Sequence, residues 1–127
     1  MKAKIMRVEE LPIYLGDVFR TRILVDEEVG SKHVAVFYVE QAPGTHGAEH
    51  VRDNEEINFV LRGHPVLEII GEGEYHLIPG MVAFIPPGVK HRHINTGEEA
   101  VLMIGIRAPI SDAAQKVKLR PKEVPRK

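Results

Sequence analysis

Cysteine and tryptophan are both missing from the 127-residue chain, and only 6% of its residues are aromatic. Without cysteine there is no disulfide, no thiolate nucleophile and no zinc–thiolate site. So few aromatic rings cannot build a stacking platform for single-stranded nucleic acid. Neither sign of charge dominates, with 17 Lys and Arg against 18 Asp and Glu. The concentrated basic face of a duplex-binding protein is therefore not expected. No run reaches the roughly 18 apolar residues of a membrane span. The start, Met1-Lys2-Ala3-Lys4-Ile5-Met6-Arg7, lacks the apolar stretch of a signal peptide. The expectation is a cytoplasmic protein with neither a nucleic-acid nor a membrane partner.

What the chain does contain is an ordinary globular balance, 43% hydrophobic and 28% charged, on a length suited to one domain. Helical periodicity is scarce. Instead, short apolar runs alternate with glycine and proline: Val18–Val25, His33–Val39, Ile57–Leu61, Val66–Ile70, Tyr75–Ile78, Met81–Ile85, His91–Ile94 and Ala100–Ile106. Turn signals such as Ala42-Pro43-Gly44, Pro79-Gly80 and Pro86-Pro87-Gly88 separate them. This pattern predicts an all-β sandwich or barrel over residues 1–110. The run Val34-Ala35-Val36-Phe37-Tyr38-Val39 is apolar on both faces, which predicts a central strand. Residues 111–127 read as a short helix from Ser111 to Val117 or as a flexible tail. Six basic residues against one acid from Lys116 onward fit a solvated terminus.

Seven histidines are present, and two groups of residues carry the chemistry. The first is Gly44-x5-His50-x-Arg52-x3-Glu56-x6-Gly63. In an extended chain, residues two apart share a face, so His50, Arg52, Asn54, Glu56 and Asn58 would line one side. Val51, Ile57, Phe59 and Leu61 would occupy the other. The second group is Gly80-x5-Pro86-x-Gly88-x2-His91-x3-Asn95, in which His91, His93 and Asn95 share a face. Alternation alone does not tell a face in water from a face lining a cavity.

Taken together, the two groups resemble the paired motifs of the cupin superfamily, G-x5-H-x-H-x3-E-x6-G and G-x5-P-x-G-x2-H-x3-N. Every position matches except one, where Arg52 replaces the second histidine. The resemblance implies a single-domain antiparallel jelly-roll barrel with a pocket at its mouth. It implies one divalent metal ion (Fe, Zn, Mn or Ni) on His50, Glu56 and His91, a set of two imidazoles and one carboxylate. Cupins of the hydroxyanthranilate dioxygenase type are similar in lacking the second histidine.

Arg52 cannot itself ligate a cation. Two orientations are open to it: a fork onto Glu56, closing a metal-free pocket, or an outward reach toward a substrate carboxylate. His93 is a candidate acid, base or replacement ligand. Asn58 faces the cavity, and Asn95 fixes local backbone. His46 falls on a loop near the mouth, and His33, His64 and His76 read as ordinary strand or turn residues. The expected function is a metal-dependent oxygenase or isomerase acting on a small polar or anionic molecule, with Arg52 and His93 catalytic. The alternatives are a non-catalytic ligand-binding module with a metal-free pocket and a barrel kept for interaction. The apolar outer face of Ile57, Phe59 and Leu61 predicts a homodimer.

Overall fold

The computed structural model describes residues 2–110 and the backbone of 123–124. The segment expected to be a short helix or tail, 111–127, otherwise lies outside the described residues. Eleven strands are present among them: β1 (Ile13–Leu15), β2 (Phe19–Val25), β3 (Ala35–Gln41), β4 (Thr45–His46), β5 (Glu55–Arg62), β6 (Val66–Ile69), β7 (Gly73–His76), β8 (Val82–Ile85), β9 (His91–Asn95), β10 (Val101–Ala108) and β11 (Glu123–Val124). They form a seven-stranded sheet in the order β11-β1-β2-β3-β10-β5-β8 and a four-stranded sheet in the order β4-β9-β6-β7. All pairings are antiparallel. The fold is an antiparallel jelly roll, as the sequence predicts. No helix among the described residues is long and apolar enough to cross a membrane.

The apolar runs become strands because their branched and aromatic side chains pack well on a pleated surface. β3 lies between β2 and β10, at the centre of the large sheet. The two sheets share one core of Val60, Leu67, Leu77, Ile85, Val101 and Met103. Alternation on β5 buries Glu56, Asn58 and Val60, while Phe59 and Leu61 each remain 40% exposed. On the outer face, Phe59 pairs with Val82 and Ile57 with Phe84 across β5 and β8. Val82 and Phe84 are exposed as well, so an apolar stripe is left at the edge of the sheet.

The motif glycines serve the turns. Gly44, Gly63, Gly80 and Gly88 all have positive φ. Gly63 is the most constrained: a Cβ there would lie 3.0 Å from the Ala100 carbonyl oxygen and the Val101 backbone. Any side chain would meet both strain and a clash. Asn95 has a different task. Its Nδ2 donates to the carbonyls of Gln41, Ala42 and Glu99, and its Oδ1 accepts from the Gly97 N–H. It therefore ties β9 to the ends of β3 and the turn before β10, the backbone role expected of it.

Asn95→Ala removes these partners and leaves buried carbonyls unsatisfied. The expected cost is about 2–4 kcal/mol in urea unfolding, and Asn95→Asp should not restore it, because a carboxylate cannot donate. A loss under about 1 kcal/mol for the alanine variant would contradict this role.

Candidate metal centre and cavity

Two segments meet edge to edge to form the site. The His50 N–H donates to the His91 carbonyl at 2.9 Å, and the His91 N–H donates back to the His50 carbonyl at 3.0 Å. This reciprocal pair locks the chain before β5 onto the start of β9. A further bond, from the Gly88 N–H to the Arg52 carbonyl at 2.9 Å, fixes the following residues to the Pro87-Gly88 turn. Alternation from His50 to Asn54 does not hold as a continuous strand, since β5 begins only at Glu55. Asn54 turns away from the cavity, and its Nδ2 donates to the Pro109 carbonyl. His50 and Arg52 reach the site through the loop's bonds to β9 and the turn.

His50, Glu56 and His91 bring three ligand atoms within 4.8 Å of one another. Their protonation follows from the backbone. His50 Nδ1 lies 3.1 Å from the Ala48 carbonyl oxygen, and His91 Nδ1 lies 2.9 Å from that of Val89. A carbonyl can only accept, so in each neutral ring Nδ1 carries the proton and Nε2 keeps a lone pair. Burial lowers the His50 pKa, aided by the charges of Arg52 and His91, and outweighs the contacts with Glu56 and the Ala48 carbonyl that raise it, so the neutral form is favoured.

Both Nε2 atoms are buried with no hydrogen-bond partner, and they face Glu56 Oε1 at 3.9 and 3.2 Å. Lone pairs directed at a carboxylate oxygen repel unless a proton or a metal cation lies among them. The donor set thus fits a divalent ion, with Nδ1–H bonds to backbone carbonyls orienting both rings.

Glu56 is buried, which pushes its carboxyl pKa up, but contacts with His50, His91 and His93 and the Arg52 charge outweigh burial. They hold the carboxyl well below the usual carboxylate range. Of the two orientations open to Arg52, the side chain takes the one toward Glu56, through a single bond: Nε donates to Glu56 Oε1 at 2.7 Å, and the side chain is 10% exposed. Asn58 Nδ2 donates to Glu56 Oε2 at 3.1 Å. His93 is buried, with Nε2 3.7 Å from Glu56 Oε2 and both ring nitrogens lacking a hydrogen bond. His46 is exposed in β4 and does not line the cavity; His64 and His76 are exposed too.

Beside this cluster opens a cavity of about 230 Å³. Its polar side holds His50, Arg52, Glu56, Asn58 and His93, and its apolar side holds Leu15, Phe19, Phe37, Val39 and Met103. Polar residues that motif reading misses also line it: Tyr14, Thr21, Glu49 and Arg107, the last on β10. Arg107 lies outside both motifs, and alternation with buried Met103 and Gly105 on β10 puts it on the inward face.

A family model described as cupin domain matches residues 37–107. A search of curated proteins finds no significant match. Among solved structures, the chain is similar to the polyketide cyclase RemF from Streptomyces resistomycificus, with 18% identity and a TM-score of 0.79 over 84% of this chain and 80% of that one. It is similar to a predicted oxalate decarboxylase from Thermotoga maritima, with 20% identity and a TM-score of 0.73 over 84% of this chain and 100% of that one. A sugar phosphate isomerase from Silicibacter pomeroyi aligns with 18% identity and a TM-score of 0.73, over 84% of this chain and 76% of that one. At these identities the likeness speaks for the fold alone.

Proposed function

The chain belongs to the cupin domain family, and from that premise we propose a metal-dependent enzyme acting on a small polar or anionic molecule. The observation that carries this reading is the pair of buried, unpartnered Nε2 atoms facing Glu56 Oε1. His50, Glu56 and His91 would hold one divalent ion, Fe, Zn, Mn or Ni. Such an ion supplies a Lewis acid that polarises a carbonyl or hydroxyl oxygen or, as iron, a redox centre.

The remaining tasks fall to the protein's own groups. Arg52 grips Glu56 and lines the cavity, so it both fixes a ligand and presents positive charge to the substrate. His93, with two unbonded ring nitrogens, would take or deliver a proton at the substrate. The apolar wall excludes water from the reacting end. The structural neighbours include proteins named as a cyclase, a decarboxylase and an isomerase, so the fold hosts several reactions. Dioxygenase- or isomerase-like chemistry is our reading for this chain, which we place in the cytoplasm.

One observation favours a second reading, a ligand-binding module with a metal-free pocket. The Arg52–Glu56 pair already neutralises the carboxylate. At roughly 5–6 Å, a guanidinium and a divalent ion repel by several kcal/mol even at an effective dielectric of about 20. A carboxylate oxygen has room for both an N–H and a cation, so this pair weakens metal binding without blocking it.

Metal content separates the readings. Protein purified without an affinity tag should carry close to one divalent ion per chain by elemental analysis. Glu56→Ala should lose most of it, and His76→Ala should keep it. Arg52→His removes the charge and adds a nitrogen donor, so metal affinity should rise at least tenfold, or ~1.4 kcal/mol. Equal metal content in wild type and Glu56→Ala would place the ion elsewhere and leave the metal-free module standing.

The exposed stripe of Phe59, Leu61, Val82 and Phe84 leads us to propose a homodimer through the outer face of β5 and β8. Light scattering at micromolar concentration should give twice the 14.2 kDa chain mass. A Phe59→Lys, Phe84→Lys double variant should run as a monomer. A monomeric wild type would remove the proposal.

A further inference from the structure

Arg107 is a largely buried cation with no ion-pair partner among the described residues. It faces inward from β10, directly opposite Glu56 on β5 and Ala35 on β3. Its guanidinium carbon stacks 4.4 Å above the centre of the Phe37 ring. Nη1 is sealed from solvent and has no hydrogen-bond partner. Among the described residues no carboxylate lies within ion-pair distance of it.

The surrounding acids are committed elsewhere. Glu56 accepts from Arg52 and Asn58, and Glu49, at the cavity wall, sits 3.6 Å from Lys90. Burial, then the charge of Arg52, pushes the Arg107 pKa down to about 10, so the group stays charged at neutral pH. Of the charged groups that line this cavity, Arg52 is matched by Glu56 and Glu49 by Lys90, so before any metal binds Arg107 is the one excess positive charge among the described residues.

Stacking on Phe37 covers one flat face of the guanidinium and leaves its in-plane N–H donors free. Gly105, the neighbouring inward position, has no side chain to fill the space beside it. Farther along the same inner face of the large sheet, the cavity is lined by apolar Phe19, Val39 and Met103.

We infer that Arg107 receives the carboxylate of a small monoanion whose apolar or aromatic remainder lies against Phe19, Val39 and Met103. A planar carboxylate matches the fork of N–H donors, and a single negative charge matches the excess. The inference rests on reading the cavity as a small-molecule site, and it names the ligand class and the residue that selects it. The acid-recognising group is then Arg107, with Arg52 held on Glu56.

Calorimetric titration of the purified protein with phenylacetate, benzoate and propionate, each against its neutral amide, tests this. Wild type should prefer at least one acid to its amide by tenfold or more. Arg107→Met should abolish that preference, and Arg107→Lys should keep part of it. Arg107→Met should also unfold at the same or a higher temperature than wild type, because it removes an unpaired buried charge. Metal content should not change in either variant.

Preference retained in Arg107→Met overturns the inference. If that preference is lost in Glu56→Ala instead, the acid binds at the metal, and the proposed function stands while this assignment falls. If wild type binds none of the acids or amides, the small-molecule reading fails and takes this inference with it. Tighter binding of phenyl phosphate than of any carboxylate would refute the carboxylate assignment.

Discussion

The Glu56 carboxylate is the buried anion around which His50, Arg52, Asn58, His91 and His93 are all arranged, each on a different approach to its two oxygens. Leaving such a charge unpaired inside a protein costs several kcal/mol. The Arg52 bond meets that cost without a metal, and the Asn58 bond aligns the carboxylate plane. The strands bring these groups from separate parts of the chain. β5 carries Glu56 and Asn58, β9 carries His91 and His93, and the loop held to β9 carries His50 and Arg52. The jelly roll is therefore tied together at the same point where its chemistry lies.

Two charge patterns follow from that geometry. Near the imidazoles, lone pairs and a carboxylate oxygen converge, an electron-rich pocket suited to a cation. A short distance across the sheet, Arg107 stands unpaired over Phe37, suited to an anion. The cavity joins these two ends, with an apolar wall beside them. A substrate lying in it would have its acidic end on Arg107 and another part near His93. Binding at one end would then set the orientation of the other.

Much of this architecture is legible in the sequence. The apolar runs correspond to strands β2, β3, β5, β6, β7, β8, β9 and β10, because each is long enough to show β-branched character between turn residues. The strands β1 and β4, three and two residues long, are too short to carry a period. The convergence of His50, Glu56 and His91 is what the resemblance to the paired cupin motifs implies, and the motif glycines stand at positive φ in the turns. Simple alternation fails between His50 and Asn54, where the loop follows hydrogen bonds from distant residues. It could not foresee Asn54 turning to Pro109. Nor does a motif reveal Arg107, whose importance depends on the register of β10 against β5 and on the lack of a partner. Spacing encodes local geometry; pairing between distant strands does not appear in it.

The central claim is that His50 and His91 present bare Nε2 lone pairs to Glu56 for a divalent ion. Long-range nitrogen–proton correlation spectra of the imidazole rings read this directly, since they report the protonation of each ring nitrogen. In chelator-treated protein near pH 7.5, both rings should carry the proton on Nδ1. Added zinc should shift the Nε2 resonances of His50 and His91 at one equivalent and leave those of His64 and His76 in place. Rings protonated on Nε2 and donating to Glu56, with no response to zinc, would contradict the account.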